Sequence, residues 1–301
     1  MIDPGTPEWL RTITPSKVAS VLAVSRWQSA YGLWHEMKGL VDPEPHKAIF
    51  DTGHAFELAL AYLWRLENPD WRLSPKGVQL ASTNMGFPAL ATLDRRASLR
   101  GPASAKYRRV VEFKTARNLE DWGDDFSDEA PGDYLVQVLF QMMVSGWTHH
   151  PGHLVVMGPF LRHHTYLVHY DAQIANDVAQ QCKDFYLSLQ RNTVPPLDNT
   201  VHTYRCLKAL HPLIERDRIV QVDPGLIEGY RRAEARKQAA DAEAQGYKNR
   251  LADVMGNAQR AAVRVDDATT VNVALRKPHN KGGVAMMIDT KKALTKEDSQ
   301  S

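Results

Sequence analysis

Two short apolar runs in the first half of the chain predict two β-strands. The first run covers residues 87–93 and leads into Asp94, and the second covers residues 109–111 and leads into Glu112. Between them, residues 101–104 read Gly-Pro-Ala-Ser, which is typical of a turn. A hairpin of these two strands would bring the two carboxylates together.

The residues that follow the second run alternate in chemistry. Side chains along a strand point to opposite faces in turn, so Glu112 and Lys114 are predicted to share one face while Phe113 faces the other. An acid and an amine would then lie side by side. Acid–apolar–lysine triplets are common on half-exposed strands, and taken alone this triplet is better explained by a solvated ion pair.

Two segments have apolar positions at helical spacing. Residues 46–66 predict a helix that carries Glu57 among residues of buried type. Residues 133–146 predict a second helix, on which Gln137 and Gln141 lie one turn apart on one face. Amides on an apolar helix need partners, because a buried unpaired amide is costly. A role for Gln141 in the site and a role as a satisfied core amide both stay open.

Further elements complete an α/β (α+β) pattern. Residues 153–157 and 165–169 predict paired strands, and residues 171–191 predict an amphipathic helix with Asp171 as its N-cap. Together with the first hairpin they predict a central mixed β-sheet flanked by helices. Such a core is expected to span residues 1–222.

The remainder, residues 223–301, is expected to be an extension. An Ala- and charge-rich stretch from Pro224 to about Met255 predicts a long helix, and short alternating runs from Val263 onward predict a small β element with a frayed polar tail.

Composition excludes several classes of protein. The chain has 301 residues, 43% of them hydrophobic, and a formal net charge of +2, so it is not a histone-like polycation. Its two cysteines, Cys182 and Cys206, support neither an iron–sulfur cluster nor a disulfide framework. We find no apolar run of membrane-spanning length and no signal-peptide pattern, and we therefore expect a cytoplasmic protein.

Charged residues are unevenly placed along the chain. Residues 120–133 carry seven acids and no Lys or Arg, which predicts a solvated loop. Cations flank the two candidate acids and predict a DNA-facing surface, since Lys and Arg neutralise phosphates without reading sequence. They are Arg95, Arg96, Arg100, Lys106, Arg108 and Arg109.

Carboxylate oxygens suit a hard cation such as Mg²⁺, which usually binds one or two protein carboxylates together with water and phosphate oxygens. Asp94 and Glu112 are therefore candidate ligands. A bound metal would polarise a phosphate and activate water, while Lys114 would orient that water or neutralise developing charge. Mn²⁺ is expected to substitute.

Five ordered motifs resemble one known family. They are a Trp, Arg and Ile-Thr-x-Ser signature at residues 9–19, Gly-x-x-x-Glu at 53–57, Leu-Asp at 93–94, Glu-Phe-Lys-Thr at 112–115, and Tyr-x-x-Gln-Val-x-x-Gln-Met-x-Val-x-Gly at 134–146. This order is similar to that of the YqaJ-like viral recombinases, the group within the PD-(D/E)XK nuclease superfamily that contains phage lambda exonuclease. The resemblance covers about residues 8–170 and implies a restriction-endonuclease-like core.

The resemblance also implies roles for individual residues. Asp94, Glu112 and the backbone carbonyl of Phe113 would bind the metal, Lys114 would be the catalytic lysine, and Glu57 would lie near a second metal position.

A second set of roles concerns DNA. Gln137 would help to hold the active-site lysine or the substrate, with Tyr134 beside it. Tyr134 and Gln141 would face DNA, and Arg11 and Ser16 would receive its 5′ phosphate.

The function implied is that of a Mg²⁺-dependent 5′-to-3′ exonuclease that acts on duplex DNA ends and leaves 3′ overhangs for phage or prophage recombination in a bacterial cell. Members of the resembled family form trimeric rings around duplex DNA and work with a single-strand annealing protein. Two alternatives stay open: a structure-specific or restriction-like endonuclease, and a non-catalytic DNA-binding protein on a nuclease fold.

Overall fold

The computed structural model describes residues 2–3, 5–45, 47–101, 107–266, 269–279 and 282–290. The chain divides into two compact units, Met1–Ile214 and Glu215–Ser301. The boundary predicted from the sequence falls after residue 222, within the second of these units.

The helices of the first unit include the two long ones that the sequence predicts around Glu57 and Gln137. In chain order they are α1 Pro7–Leu10, α2 Pro15–Val21, α3 Ala30–Met37, α4 Ala48–Glu67, α5 Gly132–Ser145, α6 Ala172–Arg191 and α7 Val201–Leu210. The predicted cap of α6 is confirmed, because the Asp171 carboxylate accepts hydrogen bonds from the backbone N–H groups of Gln173 and Ile174.

The strands of the first unit form one mixed sheet and one separate ribbon. They are β1 Trp71–Leu73, β2 Val78–Ser82, β3 Ala89–Leu93, β4 Arg95–Leu99, β5 Arg108–Thr115, β6 Gly152–Met157 and β7 His163–Val168. The sheet has the order β1-β4-β5-β6-β7, in which β5 and β6 are parallel and the other pairs are antiparallel. The predicted central mixed sheet flanked by helices is confirmed.

The predicted hairpin is corrected in one respect. Strand β5 pairs with β4, with Arg95 opposite Val111, whereas β3 pairs with β2 in the separate ribbon. Asp94 is the single residue between β3 and β4 and therefore stands where the chain leaves the ribbon and enters the sheet. Two different pairings thus fix its position.

Each face of the sheet has its own apolar core, because alternate residues of the central strands point to opposite sides. Val110 and Leu154 belong to the larger cluster, which also contains buried residues of α2, α5 and α6. Val111 and Val155 belong to the cluster beneath α4. The sheet therefore lies between α4 on one side and α5 on the other.

Part of the acidic segment covers the outer edge of the sheet. The backbone N–H of Phe126 donates to the carbonyl of Thr165 at 2.7 Å, and the N–H of Leu167 donates to the carbonyl of Ser127 at 2.8 Å. The Asp125 carboxylate accepts from the N–H of Thr165 at 2.7 Å. Residues 125–127 thus occupy hydrogen-bonding positions along β7.

The second unit contains the predicted long helix and a small sheet. Its elements are α8 Pro224–Met255, β8 Arg260–Arg264, β9 Thr270–Pro278 and β10 Val284–Ile288. The three strands are antiparallel in the order β10-β9-β8. In the part of the chain that the structure describes, no helix combines the length and apolar character needed to cross a membrane.

Candidate active site

Glu112 is the central group of the site. It lies on β5, is only 3% exposed, and is bonded through both carboxylate oxygens. Its Oε1 atom lies 2.6 Å from Lys114 Nζ and accepts a hydrogen bond from Gln137 Nε2 at 2.5 Å. Its Oε2 atom accepts from Gln141 Nε2 at 2.8 Å. These donors stabilise the charged form of a buried carboxylate.

The predicted alternation along β5 is confirmed by these contacts. Lys114 and Glu112 meet on the α5 face of the sheet, and the Phe113 side chain is buried in the cluster on the α4 face. Both predicted glutamines reach Glu112 from α5. Gln141 is fully buried, which contradicts its predicted place facing DNA and favours its role as an amide of the core.

Asp94 is tied to the same strand by its backbone. Its Oδ2 atom accepts a hydrogen bond from the N–H of Phe113 at 2.8 Å. Burial, and then the charge of Glu112, raises the pKa of Asp94 to about 8, although Lys114 acts in the opposite direction. The two acids therefore lie within electrostatic reach of each other, through the β4–β5 pairing and not through the predicted hairpin.

Lys114 keeps its proton in this environment. Burial alone would lower the pKa of its ammonium group, but the charges of Glu112 and Asp94 outweigh burial and raise it. In the metal-free site Lys114 is thus a cation at neutral pH.

Glu57 lies on α4 and also acts on Asp94, since its charge contributes to raising the pKa of that carboxyl group. Its Oε2 atom lies 2.8 Å from Lys76 Nζ, in an ion pair without hydrogen-bond geometry. Lys76 stands in the turn before β2 and was not foreseen, because nothing in the local sequence pattern marks it.

The donor set fits a hard divalent cation. Asp94, Glu112 and the Phe113 carbonyl offer oxygen atoms only, and two carboxylates with water and phosphate are a usual set for Mg²⁺. The mutual repulsion that raises the pKa of Asp94 is what such a cation would relieve. Among the described residues, no three His, Cys, Asp or Glu side chains form a metal-binding group, so the fit rests on two carboxylates and a carbonyl.

We expect the raised pKa of Asp94 to make the stability of the protein fall with pH when EDTA removes divalent metal. The unfolded chain releases this proton near pH 3.8, whereas the folded chain keeps it up to about pH 8. The free energy of unfolding should therefore decrease between these values and level off above pH 8. Urea unfolding from pH 5 to 9 measures this slope.

Asp94→Asn is the matched control for this titration. It keeps an oxygen to accept from the N–H of Phe113 but cannot titrate, so its slope should be flatter than that of the wild type. Equal slopes for the two proteins would contradict the raised pKa.

Tyr134 lies at the start of α5 beside the catalytic candidates. Its ring centre is 5.6 Å from Lys114 Nζ and 4.9 Å from the guanidinium carbon of Arg26. Arg26 binds both carboxylate oxygens of Asp133 at 3.0 Å and so holds the first turn of α5. Arg26 was not foreseen, because its partner is 107 residues away along the chain.

Arg11 and Ser16 are both exposed, and their described contacts do not include the acidic cluster. A buried lysine shapes the segment that carries them: Lys17 Nζ donates to the carbonyls of Trp9 at 2.6 Å and Thr12 at 2.8 Å. Burial lowers the pKa of Lys17 to about 7. Their role at a 5′ phosphate stays a prediction.

The flanking cations do not form one DNA-facing surface. Arg95 is 4% exposed and donates to the carbonyl of Asp94 at 2.6 Å, which contradicts its predicted place on such a surface. Arg109 is also buried and lies over the Trp71 ring, 3.9 Å from its centre. Burial lowers the pKa of Arg109 to about 10.

The other members of the set differ in their surroundings. Arg100 is exposed and Arg96 and Arg108 are half-buried, while Lys106 lies outside the described residues. A DNA-facing role for Arg96 stays a prediction.

The mixed sheet between helices, with Asp94, Glu112 and Lys114 gathered at β5, defines a restriction-endonuclease-like core of the PD-(D/E)XK type. Residues 9–148 match the family model of the YqaJ-like viral recombinase domain. This match confirms the resemblance seen in the motifs and supports a nuclease of this family.

Several solved structures resemble the chain at low identity. An alkaline exonuclease from Laribacter hongkongensis is 16% identical with a TM-score of 0.47, and the match covers 62% of this chain and 94% of that one. A putative exonuclease from Eubacterium rectale is 11% identical with a TM-score of 0.43, covering 76% of this chain and 97% of that one. No curated protein matches the chain.

Proposed function

We propose that the protein is a Mg²⁺-dependent exonuclease that degrades the 5′-ended strand of duplex DNA and leaves 3′ overhangs for phage-type recombination. The observation that carries the proposal is the environment of Glu112. A buried carboxylate bonded to Lys114 and Gln137 beside a second acid, Asp94, is suited to metal-assisted hydrolysis of a phosphodiester.

Asp94, Glu112 and the carbonyl of Phe113 would hold Mg²⁺, with Mn²⁺ as a substitute. The metal would polarise the phosphate and lower the pKa of a bound water. Lys114 would stabilise negative charge on the reacting phosphate or orient the water.

The amides and the outer acid have supporting roles. Gln137 and Gln141 hold the Glu112 carboxylate in one orientation, since each oxygen has its own amide donor. Glu57, paired with Lys76, lies on α4, from which it can influence a second cation or the substrate.

End recognition would give the enzyme its direction. Arg11 and Ser16 would bind the 5′ phosphate, and Lys17 would position them by fixing the carbonyls that flank Arg11. We further propose a ring-shaped trimer that encloses the duplex, a single-strand annealing protein as partner, and action in the cytoplasm of a bacterial host.

Digestion of three substrates tests this proposal: linear duplex with 5′ phosphates, the same duplex with 5′ hydroxyls, and a covalently closed circle. In Mg²⁺ we expect loss of the linear substrates, faster with the 5′ phosphate, an intact circle, and no cleavage in EDTA. Arg11→Ala should slow only the phosphorylated substrate, by about tenfold for one lost charged hydrogen bond. Arg205→Ala, an exposed arginine on α7, is the matched control.

Three other outcomes would contradict parts of the proposal. Nicked circles would identify an endonuclease with the same chemistry. DNA binding without metal-dependent cleavage of any substrate would identify a binding protein on a nuclease fold. Equal slowing of both linear substrates by Arg11→Ala would remove the assignment of the 5′-phosphate site.

A further inference from the structure

The long helix of the second unit has an apolar seam that follows a seven-residue repeat. Core positions spaced alternately by four and three residues continue through most of α8, which is the pattern of a coiled coil. The first four are Leu226, Tyr230, Ala233 and Lys237. The next four are Ala240, Ala244, Tyr247 and Leu251.

Three of the four large side chains of this seam are exposed, and the fourth, Leu251, is half-buried. Leu226 is 65% exposed, Tyr230 68% and Tyr247 58%. Within α8 the structure gives only Met255 as buried. Helices in proteins owe most of their stability to the packing of an apolar face, and a seam of about 40 Å, at 1.5 Å per residue, needs a partner of similar length.

The order of residues in the seam is nearly the same in both directions. Leu226 and Leu251 stand at the two ends, Tyr230 and Tyr247 come next, and small or long-stemmed residues fill the centre. We propose that α8 pairs in antiparallel orientation with α8 of a second copy of this chain. Leucine then meets leucine at each end, tyrosine meets tyrosine, and Ala233 meets Ala244 at a layer where the helices come closest.

Charges beside the seam agree with this alignment. On one edge, Arg236 of each helix lies across from Glu243 of the other, which gives two attractive pairs. On the opposite edge, Glu234 approaches Asp241 of the other helix. These two acids repel each other unless a cation lies beside them. Lys237 supplies it, because its Nζ atom already lies 3.9 Å from Glu234 Oε1.

Lys237 also fixes the register. A single polar residue within an apolar seam reduces stability but selects one alignment. In this pairing the seam neighbour of Lys237 is Ala240 of the second copy, whose small side chain leaves space for the lysine stem. A shift of one heptad would place Lys237 against Ala233 or Tyr247 instead and would separate the terminal leucines.

The contact is independent of the proposed nuclease activity. It has two-fold symmetry, whereas a ring closes by rotation about a different axis. If the chain forms both the α8 contact and a ring contact, its oligomers contain an even number of copies. If it forms only the α8 contact, it is a dimer.

Disulfide cross-linking tests both the pairing and its direction. In the full-length double variant Ala233→Cys with Ala244→Cys, each new thiol faces the other type on the second copy, and a covalent dimer should form on mild oxidation. Neither single variant should cross-link, because like positions lie 11 residues, about 16 Å, apart in the antiparallel pair. The same spacing prevents a disulfide within one helix.

The wild type is the control for its own thiols, Cys182 and Cys206, which are both buried. Efficient cross-linking of each single variant would indicate parallel helices, and absence of cross-linking in the double variant would overturn the pairing.

A charge in the seam supplies the second test. Ala240→Glu should halve the mass measured by light scattering, whereas Ala242→Glu, on the outer face of the same helix, should leave it unchanged. Circular dichroism should show equal helix content in both variants. A wild type that is monomeric, or one whose mass both variants leave unchanged, would refute the proposal.

Discussion

Glu112→Gln is expected to lower metal-dependent cleavage of linear duplex DNA by about 10³-fold or more, the largest effect of any single substitution in the site. Glutamine has nearly the shape of glutamate and keeps an oxygen that accepts from the amide of either Gln137 or Gln141. It removes the negative charge that a divalent cation requires. It also removes the charge that pairs with Lys114. Initial rates at saturating Mg²⁺ measure the loss.

The stability of Glu112→Gln shows whether a loss of cleavage comes from the changed site or from a failure to fold. Lys114 is left beside Asp94 alone, whose pKa should fall from its raised value once the repulsion from Glu112 is gone. Unfolding in EDTA should therefore depend less on pH than in the wild type. Asp177→Asn, an exposed acid on α6, is the control for loss of one charge, and retained cleavage by Glu112→Gln would refute the assignment of the ligand.

Lys114→Met is expected to lower kcat by about 10²- to 10³-fold, the second-largest effect in the site, with little change in KM. Methionine keeps most of the buried stem but has no charge to place against the reacting phosphate. Because Lys114 lowers the pKa of Asp94 in the metal-free site, its removal should also extend to higher pH the range over which stability in EDTA falls. Initial rates on a linear duplex in Mg²⁺ measure the first effect, and urea unfolding in EDTA from pH 6 to 10 measures the second.

Lys208→Met provides the comparison, since that lysine is exposed on α7. A rise in KM with unchanged kcat in Lys114→Met would indicate that the lysine only binds DNA. An unchanged pH dependence of unfolding in EDTA would contradict the electrostatic coupling between Lys114 and Asp94.

The groups on β5 and α5 were predictable because local periodicity determines them. Alternation along a strand places Glu112 and Lys114 on one face, and a spacing of four residues places Gln137 and Gln141 on one side of a helix. Any fold that contains these two elements keeps those relations. The site needs only that the strand and the helix face each other.

The position of Asp94 was less predictable because it depends on pairing between distant segments. The run at residues 87–93 does form a strand, but it was predicted to pair with the strand that leads into Glu112. Instead β3 pairs with β2, and the chain changes partner at Asp94 so that β4 pairs with β5. Lys76 and Arg26 were missed for a related reason, since their acidic partners stand far away in the chain.

Arg95 shows the limit of inference from charge. A cation next to a candidate ligand suggested an exposed phosphate contact, but the strand places this side chain inside, where it bonds to a carbonyl and lies over the Phe113 ring. Composition gives the number of charges in a segment, and only the pairing register decides which of them reach solvent.

The edges of the central sheet also bear on aggregation. A free strand edge is a template for other chains, and a concentrated protein with such an edge tends to form intermolecular sheets. Here β1 offers three residues at one edge, and the backbone of residues 125–127 occupies part of β7 at the other. The seven acids of residues 120–133 add repulsion between copies at that border. The chain should therefore resist amyloid-like stacking through this sheet even at temperatures that loosen its helices.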